Sequence, residues 1–158
     1  MTPNGSNMAL LTLLDQVIAE RDEATAQLYL LIEQTRRIQG QREQLLAYRE
    51  EYHARWTAQF RRSAAIEVVH SYQSFVDRLN HAITQLDGQL AHAETMADAA
   101  RERLVALETR AASVRKLLER RAAELDLALA RREQKRTDEA ATLALFHDRP
   151  AMAVPITP

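Results

Sequence analysis

The sequence predicts an all-α protein, a long antiparallel two-helix coiled-coil hairpin with an overhanging C-terminal helix. Three observations predict it. Between Gly5 and Pro150 there is no proline, and the only glycines are Gly40 and Gly88, so almost nothing in that stretch breaks a helix. Apolar residues recur through most of the chain at alternating spacings of three and four, the pattern of a heptad seam. The seam then slips its phase once, mid-chain, which a single continuous coil would not do.

Residues 1–7, rich in Asn, Gly, Pro and Thr types, read as a disordered start, and the first helix is expected over about 8–60. Its seam is Leu10, Leu14, Val17, Arg21, Ala24, Leu28, Leu31, Thr35, Ile38, Arg42, Leu45, Arg49, Tyr52 and Trp56. The second seam runs Val69, Tyr72, Val76, Leu79, Ile83, Leu86, Leu90, Ala93, Ala97, Ala100, Leu104, Leu107, Ala111, Val114 and Leu118, with Leu125 beyond. If Leu14 is heptad position a, Trp56 is a as well, yet the next a, Val69, follows thirteen residues later instead of fourteen. A stutter or stammer shifts phase by four or three, so the slip of one marks a break, and a turn is expected over about 61–67. The second helix then covers about 68–147, and 148–158, with its prolines, is expected to be a flexible tail.

Folding back at that turn layers a positions of one helix against d positions of the other. One register pairs large with small: Trp56 with Tyr72, Leu45 with Ile83, Leu31 with Ala97, Leu28 with Ala100, Ala24 with Leu104 and Val17 with Ala111. Sliding by a heptad sets Ala24 against Ala97 and opens a void costing roughly a kcal/mol or more. Arg21, Arg42 and Arg49 interrupt the seam, with stems able to lie along it while the guanidinium reaches a flanking carboxylate. In this register the first helix, about 75 to 80 Å long at 1.5 Å per residue, runs out opposite Leu118. Residues from about Glu119 to Phe146 are left without a partner in it, and their closely mixed charges supply intrahelical support.

Composition narrows the function. The chain has 158 residues, 27% of them charged, and a net charge of -1, without the basic excess that a nucleic-acid backbone calls for. Without cysteine, disulfides, thiolate metal sites and a cysteine nucleophile are excluded, and a reducing cytosol fits. The apolar run Met8–Leu14 is too short to span a bilayer and follows no basic residue. His70, His81 and His92 share a face at steps of eleven residues, roughly 16 Å of helix each, too far apart for one metal ion. Carboxylate pairs such as Glu50-Glu51 and Asp138-Glu139 lack the burial that tunes an acid–base pair. No glycine-rich phosphate loop, nucleophile elbow or His-Glu-x-x-His helix is present. The sequence therefore points to a non-enzymatic protein without cofactor or metal, acting through what its helices touch.

The aromatic residues say where. Tyr48, Tyr52, Trp56, Phe60, Tyr72 and Phe75 fall within a few turns of the expected bend. Tyr52, Trp56 and Tyr72 lie in the seam, whereas Tyr48 and Phe75 are g positions, and g edges face the same side in an antiparallel pair. Gln41, Tyr48, Phe75 and Ala82 are therefore expected to line one exposed edge, a candidate contact surface.

The ordered set Gln41, Leu45, Tyr48, Tyr52, then Tyr72, Phe75, Leu79, Ala82, and a closing run Val114-Arg115-Lys116-Leu117-Leu118-Glu119-Arg120-Arg121 with Arg131-Arg132-Glu133-Gln134-Lys135, resembles the flagellar FliJ family over about Leu10 to Ala141. The resemblance implies a cytosolic component of the flagellar type III protein export apparatus, a coupling stalk and general chaperone similar in shape to the rotary stalk of the F-type ATPase. It implies three kinds of partner: the hexameric, FliI-like export ATPase, the linker of the FlhA-like membrane export gate, and substrate chaperones. By the same resemblance, export-gate binding falls to Gln41, Leu45, Tyr48 and Tyr52 with Phe75, Leu79 and Ala82, and ATPase binding to Arg120, Arg121, Arg131, Arg132 and Lys135. A histidine that some members carry one turn after the alanine is Leu86 here, a core position. The implied location is the cytoplasm, peripheral at the inner face of the cell membrane through partners, with a monomer when isolated. Two alternatives stay open on sequence: the stalk of a virulence-type secretion system and a generic coiled-coil scaffold.

Overall fold

The computed structural model describes residues 3–62 and 65–147. It contains two helices packed as a hairpin, α1 (Pro3–Phe60, 58 residues) and α2 (Ile66–His147, 82 residues), and no strand among the described residues. The helix α1 begins at Pro3, ahead of the expected start near residue 8. Proline suits a first helical position, since the N–H it lacks would have no helical acceptor there. The N-terminal segment that the sequence suggests as disordered is therefore helical from Pro3, and residues 1–2 lie outside the described residues, as does the expected tail 148–158. At the bend, α1 ends on Phe60, and the Arg62 N–H donates to the Gln59 carbonyl at 3.0 Å. The Ala65 carbonyl accepts from Val68 at 3.0 Å and Val69 at 3.3 Å, which starts α2 at Ile66 with Glu67 in its first turn, where a carboxylate favours the helix dipole.

The chain divides into two compact units. In the unit of residues 14–111 the buried core consists of Val17, Ala24, Leu79, Ile83, Ala93, Ala97, Leu107 and Ala111. Every one is a position of the expected seam, and half are alanines. In the Leu31–Ala97 and Ala24–Leu104 layers the small residue is the buried one, Ala97 at 2% and Ala24 at 3% exposure, whereas in the Val17–Ala111 layer both are buried. Cross-helix contacts fix the register. Trp56 and Tyr72 meet as expected, their rings 5.7 Å apart between centres and tilted by 49°. The Arg42 Nε donates to Asp87 and the Arg49 Nη1 to the Asn80 Oδ1 at 3.0 Å, each one residue past the expected partners Leu86 and Leu79. A heptad shift would break all three contacts. The seam arginines behave as their chemistry requires: half-buried, with Arg21 paired to Asp22 at 2.6 Å and Arg42 to Asp87, so the stem covers apolar surface while the charge stays solvated.

The other unit holds the start of α1 and the end of α2. Val114 is buried, Leu10 and Leu118 are half-buried, and the Arg121 Nη1 donates to the Ser6 Oγ at 2.7 Å and the Asn7 Oδ1 at 3.4 Å. From Ala122 through Phe146 every residue is exposed, although the backbone stays helical. Those residues form the overhang that the seam predicts.

Candidate docking surfaces

Near the bend, the aromatic side chains form one connected cluster. Helical spacing stacks Tyr48 on Tyr52 at 6.1 Å and sets Tyr52 edge-on to Trp56 at 5.8 Å, because residues four apart share a face. The opposite helix contributes Tyr72, 5.7 Å from Tyr52, and Phe75, 4.3 Å from Tyr52 and 6.1 Å from Tyr48. Trp56 and Tyr72 close over Phe60 at 5.4 and 5.5 Å. The His53 Nδ1 lies 2.6 Å from the Tyr72 hydroxyl, which gives the half-buried phenol a polar partner.

The expected binding residues separate within this cluster. Tyr48 is 45% exposed and Gln41 is exposed. Phe75 is half-buried, not the freely exposed edge residue that its g position suggests, since the Tyr52 ring offers it a closer apolar neighbour than water. Leu45 and Tyr52 are half-buried and Leu79 is buried in the seam. Phe75, Leu79 and Ala82 nonetheless share one shallow depression in the surface, and Arg78 forms its remaining wall. Sequence reasoning missed Arg78. The signal was available: it stands one turn from Phe75 and one from Ala82, at a c position that borders the g edge. Its Nε donates to the Ser74 carbonyl at 3.3 Å, and it meets no carboxylate among the described residues.

At the other candidate surface, Arg120, Arg131 and Arg132 are exposed along the unpartnered stretch of α2. Lys135 is 3.8 Å from Glu139 one turn on. Arg121 differs, because its guanidinium is turned inward onto Ser6 and Asn7. Leu125, Leu127 and Leu129 lie exposed beside these cations. Among the described residues no group of His, Asp or Glu is arranged to hold a metal ion, and no helix is long and apolar enough to cross a membrane.

The family model for the flagellar FliJ protein matches residues 6–149. The chain belongs to the FliJ family. That match covers nearly the whole chain, both helices included, and ties it to flagellar protein export. No curated protein and no solved structure matches the sequence closely enough to add to this. Within a FliJ-family hairpin, the two surfaces described above have distinct chemistry: an aromatic and apolar depression beside the bend, and an exposed, leucine-bearing helix of closely mixed charge that carries Arg131, Arg132 and Lys135.

Proposed function

We infer that this FliJ-family chain is a non-enzymatic coupling stalk and general chaperone of the flagellar type III export apparatus, linking the hexameric export ATPase to the membrane export gate. Family membership over residues 6–149 carries the inference. The aromatic depression at Phe75, Leu79 and Ala82, flanked by Tyr48, has the character of an anchor site for the gate linker, since buried aromatics dominate interface energies. Arg120, Arg131, Arg132 and Lys135, on a helix with no cover of its own, suit the ATPase. Arg121 has the weaker claim, because it would have to leave Ser6 and Asn7. The chain then works in the cytoplasm, held at the inner face of the membrane by its partners, and takes substrate chaperones at the same time or in turn.

A pull-down with the tagged full-length chain from flagellated cells tests this directly, with recovery of the export ATPase expected. Recovery of only unrelated proteins would leave a generic scaffold. Deleting residues from Ala122 onward sharpens the test. The truncated chain is expected to melt at an unchanged temperature and to lose ATPase association, because none of the deleted side chains among the described residues is buried.

A further inference from the structure

The hairpin of residues 14–111 has two long edges, and their charges differ. Pairing of Tyr48 with Phe75 identifies the edge formed by g positions, and the groove shared by Ile32, Gln39, Glu94 and Arg101 identifies the edge formed by e positions. Along the e edge and its bordering b positions carboxylates outnumber cations: Glu43, Glu50, Asp77, Asp87, Glu94 and Asp98 stand against Arg36 and Arg101, the latter paired with Asp98. The g edge carries no charge at all between Gln27 and Tyr48 on α1, or between Phe75 and Met96 on α2. Its g positions there are glutamines, Ala82 and two apolar ends. The bordering c positions supply Arg37 and Arg78, neither of which meets a carboxylate among the described residues, and Arg103 closes the far end. Glu51, the acid on this side nearest the bend, is held by Arg55.

Apolar groups punctuate this edge in two places. Tyr48, Phe75 and Ala82 form the one beside the bend. Leu30, a bordering c position 68% exposed, and Met96, a g position 45% exposed, mark the other by their heptad places. Ala82 and Met96 are two heptads apart, about 21 Å along the helix. Between them lie Gln41 and Gln89, exposed and without a side-chain hydrogen bond among the described residues. An incoming α-helix that follows the edge advances at the same rise per residue, so apolar side chains fourteen residues apart on it reach both groups at once.

We propose that the basic-rimmed g edge, from Tyr48 and Phe75 to Leu30 and Met96, is a two-anchor track for one acidic amphipathic helix. The occupant carries two apolar groups fourteen residues apart, amide or hydroxyl side chains between them to meet Gln41 and Gln89, and Asp or Glu along its flanks to meet Arg37 and Arg78. Unpaired rim cations speed encounter with such a helix and repel a basic one, while the apolar groups hold it. The proposal rests on the gate-linker reading of the Phe75 depression and extends it by a second anchor and a stated partner chemistry.

The test uses the full-length chain and a fluorescein-labelled synthetic peptide copying the cytoplasmic linker of the export-gate protein from the same bacterium. Anisotropy titrations compare the wild type with Phe75→Ala, with Leu30→Glu/Met96→Glu, and with Arg37→Glu/Arg78→Glu. Leu30→Glu/Met96→Glu is expected to weaken binding at least tenfold, and Arg37→Glu/Arg78→Glu to slow association and flatten its dependence on salt. Far-UV circular dichroism is expected to show the peptide gaining helix on binding. Leu30→Gln/Met96→Gln carries the same test should the glutamate pair melt early. If Phe75→Ala weakens binding while both Leu30/Met96 variants bind normally, or if the bound peptide stays non-helical, the two-anchor track is overturned and the gate reading stands. If the peptide does not bind, or binds Phe75→Ala as tightly as the wild type, the gate reading falls and the track falls with it.

Discussion

The helix α2 is stabilised in two different ways along its length. Between Ile66 and Ala111 it contributes Leu79, Ile83, Ala93, Ala97, Leu107 and Ala111 to a dry seam, and burial of that seam against α1 holds it. From Ala122 through Phe146 no residue of it is buried. There Leu125, Leu127 and Leu129 are 45%, 53% and 57% exposed, and the helix persists on the good propensity of Ala, Leu, Glu and Arg and on contacts such as Gln134 to Asp138 at 3.2 Å. Pairs of that kind contribute only about 0.2 to 0.5 kcal/mol each. The same residue type, leucine, is thus structural in one region and available in the other. What decides is whether α1 lies opposite it.

The strongest way to break this contrast is to remove one leucine from each region. Leu107→Ala is expected to cost about 2 to 5 kcal/mol in urea unfolding, because it empties a seam layer that packs against α1. Leu127→Ala is expected to stay within about 0.5 kcal/mol, since its side chain touches mainly water and alanine is as good a helix former. Equal costs would mean that the terminal stretch is packed in solution.

Phe75 stands between these extremes and sharpens the comparison. An exposed edge residue would unfold no earlier when cut to alanine, but the Phe75 ring lies 4.3 Å from Tyr52 and is half-buried. Phe75→Ala is therefore expected to cost about 1 to 3 kcal/mol by thermal or urea unfolding, below the full penalty of a buried phenylalanine. Tyr48→Ala, at an exposed position, is expected to cost less than about 1 kcal/mol. Tyr48 is thus the better residue for separating binding from stability, and a Phe75→Ala protein as stable as the wild type would contradict the ring contacts.

Much of this was legible in the sequence because a two-helix coil is governed by one periodicity. Among the described residues the spacing alone named every buried one, and the alternation of large and small at Leu31 and Ala97 or Val17 and Ala111 named the register. The phase slip after Trp56 located the bend although neither glycine nor proline marks it. The helical start at Pro3 was not legible, because a segment with Asn4, Gly5 and Ser6 has weak propensity of its own. It gains from Arg121, far away in sequence, which bonds Ser6 and Asn7. The same contact removes Arg121 from the free cations of the overhang, and no local pattern could signal that. Heptad letters put Phe75 at the edge correctly but could not say that an aromatic ring there would tilt onto Tyr52.

Gly40 and Gly88 offer a smaller effect of opposite sign. Both lie inside helices with ordinary φ, and a methyl group added at either would meet nothing within 4 Å. Gly40→Ala and Gly88→Ala are each expected to stabilise the hairpin by about 0.5 to 1 kcal/mol, mainly by reducing the freedom of the unfolded chain. Melting temperatures of the single and double variants check this, and the two gains should add, since the sites share no partner. A loss of stability at either would reveal a close neighbour at that position.

The smallest expected effect lies at the cross-helix pair of Arg42 and Asp87. Their side chains are 35% and 48% exposed, so solvent screens the pair, and exposed ion pairs typically contribute about 0.2 to 1 kcal/mol. Arg42 is also a seam residue whose methylene stem covers apolar surface, which an alanine at that position no longer does. Arg42→Ala should therefore cost more than Asp87→Ala, and the difference measures packing, not charge. A double-mutant cycle separates the two: the coupling between Arg42 and Asp87 is expected to stay below about 1 kcal/mol and to shrink at high salt. Coupling well above that, unchanged by salt, would mean that this pair, and not the volume match of the layers, sets the register of the hairpin.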